Sequence, residues 1–276
     1  MVKPTQTHVS KYLVDKDCLI EEGSTGKVFM AQNKFTQEFV AIKSVDLHLA
    51  SFDNAFTNET KILSKTKNLE SVINMKECFI YQNRGYIVMD LMTEDLFNRS
   101  ESLESMDDIK YIFLQVCQAV QDLHNMHISH LDLKPENILL SIDDSIKLCD
   151  FGSSVMWNID DTCNKVIGSE YYIAPEILRG GSYSSTKADI WSLGVILYLL
   201  VTGNFPYGGN SEFDIHSNYL KGNTNLESSK GYIDEDCYEL LSKMLSKDPE
   251  SRPSIKKVLQ DKFFCISNEM EWELSY

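Results

Sequence analysis

The sequence is poor in positive charge. Its 276 residues include 26 lysine and arginine residues against 41 aspartate and glutamate residues, which gives a formal net charge of −15 at pH 7. Nucleic acids and anionic membranes attract basic surfaces, so this balance argues against either as a constitutive partner. An acidic surface keeps a protein soluble, and it also favours basic peptides as substrates; the charge alone leaves both interpretations open.

Long apolar runs and paired cysteine motifs are missing as well. The most apolar stretch, 193–201, is too short to cross a bilayer and predicts a buried helix. Seven cysteines, an odd number without CxxC spacing, are typical of free thiols in a reducing compartment. The chain opens without a signal-peptide pattern, and Val2 stands where N-myristoylation requires glycine. We therefore expect a cytoplasmic protein, with access to the nucleus left open.

The hydrophobic pattern changes along the chain. Between residues 12 and 90, short apolar segments separated by polar turns predict strands, with one helix at about 53–65. Residues 106–127 have apolar side chains at the helical spacing of a long amphipathic helix. The pattern predicts an α+β fold with two lobes, a small antiparallel sheet with one helix and then a larger, mainly helical lobe. Further helices are predicted at 189–203, 212–220, 235–245 and 254–260.

Two short segments concentrate the residues that could do chemistry. Residues 130–137 read HLDLKPEN, and Asp150-Phe151-Gly152 follows thirteen residues after Asn137. Carboxylate and amide oxygens bind Mg²⁺, a lysine neutralises phosphate, and a further carboxylate accepts a proton from a hydroxyl group. Phosphoryl transfer from Mg·ATP to a hydroxyl group needs all of these, because its transition state spreads negative charge over three oxygens.

These segments resemble the eukaryotic protein kinases, and the resemblance extends from about residue 13 to residue 264. It implies that Asp132 accepts the proton of the substrate hydroxyl group and that Lys134 neutralises the γ-phosphate. Asn137 and Asp150 would bind Mg²⁺, and Asp189 would anchor the backbone of the catalytic loop. Lysine at position 134 is typical of the serine/threonine type. A nucleotide-binding scaffold without activity is the alternative, and a small-molecule phosphotransferase is a third candidate.

A glycine-rich segment in the first lobe resembles the loop that covers the phosphates of ATP in this family. Residues 23–28 read GSTGKV, and glycines let backbone N–H groups approach phosphate closely. Glu21 and Thr25 replace the first glycine and the aromatic residue at the tip of the family's loop. A Walker loop is excluded, because Val28 follows Lys27 where serine or threonine must bind Mg²⁺.

A lysine and a glutamate complete the expected nucleotide site. Lys43 ends the run VAIK, the family's third-strand motif, and Glu59 follows in the predicted helix. The resemblance implies that Lys43 contacts the α- and β-phosphates, that Glu59 orients it, and that a hinge at 90–92 hydrogen-bonds adenine. The full expected ATP-binding set is Ile20, Gly23, Gly26, Val28, Ala41, Lys43, Met89, Asp90, Met92 and Leu139.

Other family features lie in the second lobe. Ser169 resembles the hydroxyl residue that hydrogen-bonds the catalytic aspartate and lysine, and Glu176 is expected to pair with Arg252. Asp95 and Glu136 occupy positions that resemble acidic contacts to basic residues upstream of the phosphorylated one. We therefore expect protein substrates, with a mild preference for one upstream basic residue.

Leu131 predicts an unusual mode of regulation. Many protein kinases have an arginine at this position, and it binds a phosphate on the activation loop. Leucine cannot bind phosphate, so we expect activity that does not depend on phosphorylation of that loop. The HLD form of the segment resembles the calcium/calmodulin-dependent kinase group, yet the sequence shows neither an EF-hand pattern nor a basic calmodulin-target helix.

The expected domain boundaries follow from the resemblance. Residues 1–11 are expected to be a flexible segment, 12–264 the kinase domain and 265–276 a short tail, with the lobes at 12–91 and 92–264. The domain is expected to be a monomer that uses ATP and Mg²⁺. No nucleic acid, membrane or calmodulin partner is expected.

Overall fold

The first lobe is built on an antiparallel sheet. The structure is a computed structural model that describes residues 6–23, 26–48, 50–103, 105–158, 160–209, 212–221 and 224–265. The strands described in this lobe form a six-stranded sheet in the order β1-β2-β3-β4-β6-β5. A single helix, α1, lies between β4 and β5 along the chain. The bounds are β1 (Gln6–Val9), β2 (Tyr12–Gly23), β3 (Gly26–Asn33), β4 (Phe39–Asp46), α1 (Ala50–Lys65), β5 (Met75–Tyr81) and β6 (Arg84–Met89).

The central strand β4 is covered on both faces. Residues 40–45 are all buried, which is why this strand reads as a nearly continuous run and not as an alternation. One face packs against α1, whose buried side chains recur at the spacing of one helical face: Phe56, Glu59, Ile62 and Leu63. The other face carries a smaller apolar cluster of Val9, Tyr12, Val14, Ala31, Val40, Ile42, Tyr86 and Val88.

Part of the segment 1–11, which we expect to be flexible, forms a strand at Gln6–Val9. Strand β1 pairs with β2 in antiparallel register, with Gln6 opposite Asp15 and Val9 opposite Tyr12. The sequence QTHV gives little sign of a strand, because only Val9 enters the apolar cluster. Backbone hydrogen bonds to a neighbouring strand, which no local pattern reveals, hold this segment in place.

The second lobe is mainly helical. Its small strands form a three-stranded sheet in the order β10-β9-β7 and the pairs β11-β8 and β12-β13. Short 3₁₀ turns occur at Pro135–Asn137, Pro249–Ser251 and Lys262–Phe264. The remaining bounds are β7 (Glu94–Asp95), α2 (Leu96–Ser100), α3 (Met106–Asn125), β8 (Ile128–Ser129), β9 (Ile138–Leu140), β10 (Ile146–Leu148), β11 (Val155–Met156), β12 (Thr162–Cys163), α4 (Pro175–Arg179), β13 (Tyr183–Ser184), α5 (Ser185–Thr202), α6 (Glu212–Lys221), α7 (Leu226–Ser229), α8 (Glu235–Met244) and α9 (Ile255–Leu259).

Helix α5 forms the centre of the second lobe. It is apolar on all sides and residues 188–198 are all buried, as the predicted buried helix requires. It begins four residues before the predicted start, because Ser184 caps it by accepting the N–H of Lys187. The two-lobed α+β prediction is confirmed. In the described parts of the chain, no helix is long and apolar enough to span a bilayer.

Candidate active site

The loop between β8 and β9 is hydrogen-bonded to α5 through Asp189. Asp189, fully buried, accepts the backbone N–H groups of His130 at 2.9 Å and Leu131 at 2.8 Å. Leu131 has a φ of 61°, which is unfavourable for a branched side chain in the left-handed region. Two charge-assisted hydrogen bonds compensate for this strain and fix the loop immediately before Asp132. The expected role of Asp189 as a backbone anchor is confirmed.

Asp132 is fixed by two neighbours. The hydroxyl group of Ser169 donates to its Oδ1 at 2.6 Å, and the Nδ2 group of Asn137 donates to its carbonyl oxygen at 2.8 Å. The expected bond between Ser169 and the aspartate is therefore confirmed. Among the described residues, Lys134, which lies half-buried two residues after Asp132, donates no hydrogen bond to Ser169.

Lys43 joins the two lobes. Its Nζ atom lies 2.8 Å from Glu59 Oε2 in α1 and 2.8 Å from Asp150 Oδ1 in the second lobe. Burial acts to lower the pKa of Lys43, but the charges of Glu59 and Asp150 outweigh it and raise the pKa well above its usual range. For Asp150, burial acts to raise the pKa, and the Lys43 charge reverses this and lowers it. The lysine is therefore a fixed cation at neutral pH, and Asp150 a fixed anion.

The amide of Asn137 and the carboxylate of Asp150 fit a Mg²⁺ ion. Asn137 is 1% exposed, and its Oδ1 atom is buried without a hydrogen-bond partner among the described residues. An orphaned buried oxygen is costly unless something binds it, and Mg²⁺ prefers oxygen ligands. In the parts of the chain described here, no three His, Cys, Asp or Glu side chains are arranged to hold a metal ion by themselves. Mg²⁺ commonly takes its remaining ligands from water and substrate phosphates, so these two side chains suffice.

The cleft between the lobes contains a cavity of about 320 Å³. All ten residues of the expected ATP-binding set line it, together with the expected site residues Glu59, Asp95, Glu136 and Asp150. Val28 and Ala41 come from the sheet and Leu139 from β9, so the cavity has an apolar wall on either side. Ser24 and Thr25 of the expected glycine-rich loop lie outside the described residues. A larger cavity, about 660 Å³ beside Tyr171 and Phe205, contains none of the expected catalytic side chains.

Glu21 also lines the cavity of about 320 Å³ between the lobes. Burial raises the pKa of its carboxyl group, and the charge of Asp150 raises it further against the opposing charges of Lys134 and Lys43. The side chain is therefore directed toward the same space as the catalytic charges. Its carboxylate adds negative charge where phosphates are expected.

The two expected substrate contacts differ in their availability. Asp95 caps α2, because its carboxylate accepts the N–H and the Nδ2 group of Asn98 at 2.8 and 2.9 Å. Glu136 instead has a buried Oε2 atom with no hydrogen-bond partner in the described part of the chain. Of the two carboxylates, that of Glu136 therefore keeps an oxygen without a hydrogen-bond partner among the described residues, whereas Asp95 uses both oxygens to cap α2.

Asn58 is a site residue for which the sequence gives no signal. Its Nδ2 group donates to the carbonyl oxygens of Phe151, Gly152 and Ser154 at 3.1, 3.3 and 2.8 Å. The residue sits on α1 immediately before Glu59 and ties that helix to the segment after Asp150. An isolated asparagine in a helix reads as a solvated side chain, so only the fold shows this contact.

The second-lobe support is also in place. Glu176 accepts two hydrogen bonds from the guanidinium group of Arg252, at 2.6 and 2.8 Å, and the expected pairing is confirmed. The arginine also donates to the carbonyl oxygens of Ser246 and Lys187 and stacks on Trp191 at 4.9 Å. Each of the three nitrogens of the buried cation is thus hydrogen-bonded to a partner that compensates for its burial.

A two-lobed fold and a buried lysine bonded to one carboxylate from each lobe are features of the protein kinase class. The sequence pattern of the family described as protein kinase domain matches residues 15–264. The chain belongs to this family.

Several serine/threonine kinases are similar to this chain. The serine/threonine-protein kinase kin-29 of Caenorhabditis elegans is 33% identical over 265 residues, which cover 94% of this chain and 32% of that protein. The kin-29 protein of Caenorhabditis briggsae is 43% identical over 159 residues, which cover 58% of this chain and 19% of that protein. A probable serine/threonine-protein kinase of Dictyostelium discoideum is 32% identical over 267 residues, which cover 94% of this chain and 31% of that protein. The chain thus spans about a third or less of these relatives.

Proposed function

We propose that this chain is a serine/threonine protein kinase that transfers the γ-phosphate of Mg·ATP to protein hydroxyl groups. The observation that carries the proposal is the assembled network around Lys43, which bonds Glu59 and Asp150 at 2.8 Å each. A catalytically incompetent arrangement would separate these groups, since Glu59 sits on a helix that the sheet alone does not fix. Lys134 and the names of the relatives support the serine/threonine type.

The proposed reaction is an in-line displacement. The oxygen of a substrate hydroxyl group forms a bond to the γ-phosphorus, the bond between that phosphorus and the β–γ bridging oxygen breaks, and ADP leaves. The hydroxyl proton goes to Asp132, whose orientation is fixed by the bond from Ser169. Lys43 holds the α- and β-phosphates, and Lys134 neutralises the transferred group. Mg²⁺, when bound by Asp150 and Asn137, would neutralise phosphate charge.

The proposal includes activity without phosphorylation of the activation loop. Leu131 offers no cation to a phosphate, and its backbone is already fixed by Asp189. The resemblance of the HLD segment to the calcium/calmodulin-dependent group supports membership of that group. No calcium or calmodulin requirement is proposed for the residues present, and the domain is proposed to act as a cytoplasmic monomer.

Substrate choice is proposed to rest on Glu136. Its acidic side chain lines the cleft, which supports a preference for a basic residue upstream of the acceptor hydroxyl group. The engagement of Asp95 with Asn98 makes its contribution smaller, which fits a mild preference for a single basic residue.

The first experiment is phosphate transfer from labelled Mg·ATP to an arrayed library of Ser, Thr and Tyr peptides, using dephosphorylated protein without calcium. We expect transfer to Ser and Thr peptides only. Asp150→Ala should lower the rate by at least about a hundredfold, since it removes charge neutralisation in the transition state. Transfer that survives Asp150→Ala would contradict the mechanism. ATP binding without any transfer would favour the nucleotide-binding scaffold instead.

A further inference from the structure

The activation segment is fastened to the first turn of α5. This segment comprises residues 152–167, of which 159 lies outside the described part. The carboxylate of Asp161 accepts hydrogen bonds from the hydroxyl groups of Ser184 and Thr186 and from the backbone N–H of Thr186 at 3.1 Å. Its carbonyl group accepts the N–H of Ser185 at 2.8 Å. Four hydrogen bonds from the start of one helix therefore converge on one residue.

The start of α5 suits a carboxylate. The first N–H groups of a helix have no partner within the helix, and the helix dipole favours negative charge there. Ser184 satisfies the N–H of Lys187 at 3.2 Å, and Asp161 satisfies that of Thr186. Burial acts to raise the pKa of Asp161, but the hydrogen bonds from Ser184 and Thr186 outweigh it and lower the pKa. The side chain is therefore charged at neutral pH.

The same helix holds the catalytic loop. Asp189, one turn after Thr186, accepts the backbone N–H groups that precede Asp132. The activation segment and the catalytic loop are thus both hydrogen-bonded to the N-terminal half of α5. Tyr183 forms a second contact, because its hydroxyl group donates to the carbonyl oxygen of Lys165 at 2.7 Å, four residues before Ser169 in the sequence.

We infer that Asp161 is a positioning residue that orders the activation segment as an added phosphate would. An added phosphate contributes negative charge and hydrogen-bond acceptors that tie the loop to the domain. Asp161 contributes both from within the sequence, and it binds hydroxyl and N–H donors of α5 where Leu131 offers no cation. By ordering the segment, Asp161 fixes the position of Ser169, and Ser169 in turn orients Asp132 toward a peptide substrate. The inference rests on the proposed function and names the residue behind its independence of phosphorylation.

The test compares Asp161→Asn with the control Asp160→Asn in dephosphorylated protein. The control makes the same change of charge in the same segment, but among the described residues the Asp160 side chain accepts a hydrogen bond only from the backbone N–H of Thr162. Mg·ATP titration counts the competent sites, and the rate of peptide phosphorylation is then expressed per site. We expect Asp161→Asn to lower kcat/KM for peptide about tenfold, with the Kd for ATP unchanged within about twofold, as fits the loss of charge-assisted bonds.

A second variant approaches the contact from the helix. Thr186→Val removes one hydroxyl donor, and combining it with Asp161→Asn should add little further loss, because both act on one contact. A purely structural role would reduce the number of ATP-binding sites without changing the rate per site, and that result would overturn the inference. Equal behaviour of Asp161→Asn and Asp160→Asn would do the same. If the dephosphorylated wild-type protein were inactive, the proposed function itself would fail, and the inference with it.

Discussion

At the scale of single residues, Glu21 is the side chain most at odds with the chemistry around it. Its carboxylate lines the nucleotide cavity where the family has a glycine, and the charge of Asp150 helps to raise its pKa. A second negative charge near the phosphates opposes the binding of ATP. We therefore expect Glu21 to weaken the binding of nucleotide in a cavity that otherwise has every expected ATP-binding residue.

Glu21→Gln is expected to tighten Mg·ATP binding by about threefold to tenfold, because it removes a like charge from the cavity. Titration calorimetry at fixed ionic strength measures this. Since the pKa of Glu21 is raised, the wild-type carboxyl group takes up a proton before an ordinary glutamate as the pH falls. The difference in Mg·ATP affinity between the variant and the wild-type protein should therefore become smaller at lower pH.

Glu22→Gln is the matched control. Glu22 carries the same charge in the same strand, but it pairs with Lys27 at 2.8 Å on the surface and does not line the cavity. Its substitution should leave the affinity for ATP unchanged. Equal gains from the two variants would show that net charge, and not the position of Glu21, governs binding.

At the scale of elements, the position of α1 depends on a close approach to the sheet. A Cβ atom at Gly85, in β6, would lie 2.7 Å from two ring carbons of Phe56 in α1. Phe56 is one turn before Glu59, so the contact that seats the helix also seats the partner of Lys43. The absence of a side chain at Gly85 sets the distance between α1 and the sheet.

Gly85→Ala is expected to cost about 1–3 kcal/mol of unfolding free energy, because the aromatic ring and the helix must shift to admit a methyl group. The shift should also weaken the bond between Lys43 and Glu59 and lower the rate of peptide phosphorylation. Urea unfolding and steady-state kinetics on the same preparation measure both effects.

Gly208→Ala controls for the substitution itself. A Cβ atom there would be 3.6 Å from Asn225 Nδ2, which is an ordinary contact. Stability and activity should stay close to those of the wild-type protein. If Gly85→Ala also left stability and activity unchanged, the proposed link between sheet packing and the position of Glu59 would be wrong.

At the scale of the whole molecule, one buried ion pair joins α4 to the segment between α8 and α9. Arg252 is 1% exposed, bonds Glu176 with two nitrogens and also reaches two carbonyl oxygens. Removing one partner of a buried pair leaves an uncompensated charge. Arg252→Met should therefore cost about 3–5 kcal/mol of unfolding free energy, as measured by urea unfolding.

Lys262→Met gives the comparison at the surface. Lys262 pairs with Asp236 at 2.6 Å, and its side chain is half exposed. Exposed pairs contribute little, since water and salt screen them, so no measurable change is expected. A similar loss for both variants would mean that burial does not distinguish the two pairs.

The sequence by itself determined the protein class and most of the site. The segment 130–137 places its functional groups within a few residues of each other, so their spacing is legible without a fold. Helices α3 and α5 were predictable because burial of one face, or of all faces, leaves a period in the sequence. All ten expected ATP-binding residues line one cavity, since each belongs to a motif with a fixed local position.

Only the tertiary structure decided the contacts between segments distant in sequence. Lys43 and Asp150 are 107 residues apart, and their bond depends on how the lobes meet. Asn58, Asp161 and the strand Gln6–Val9 look generic in sequence, because short polar residues acquire partners only when the chain brings donors and acceptors together. Local patterns record which faces are buried, but they do not record against what.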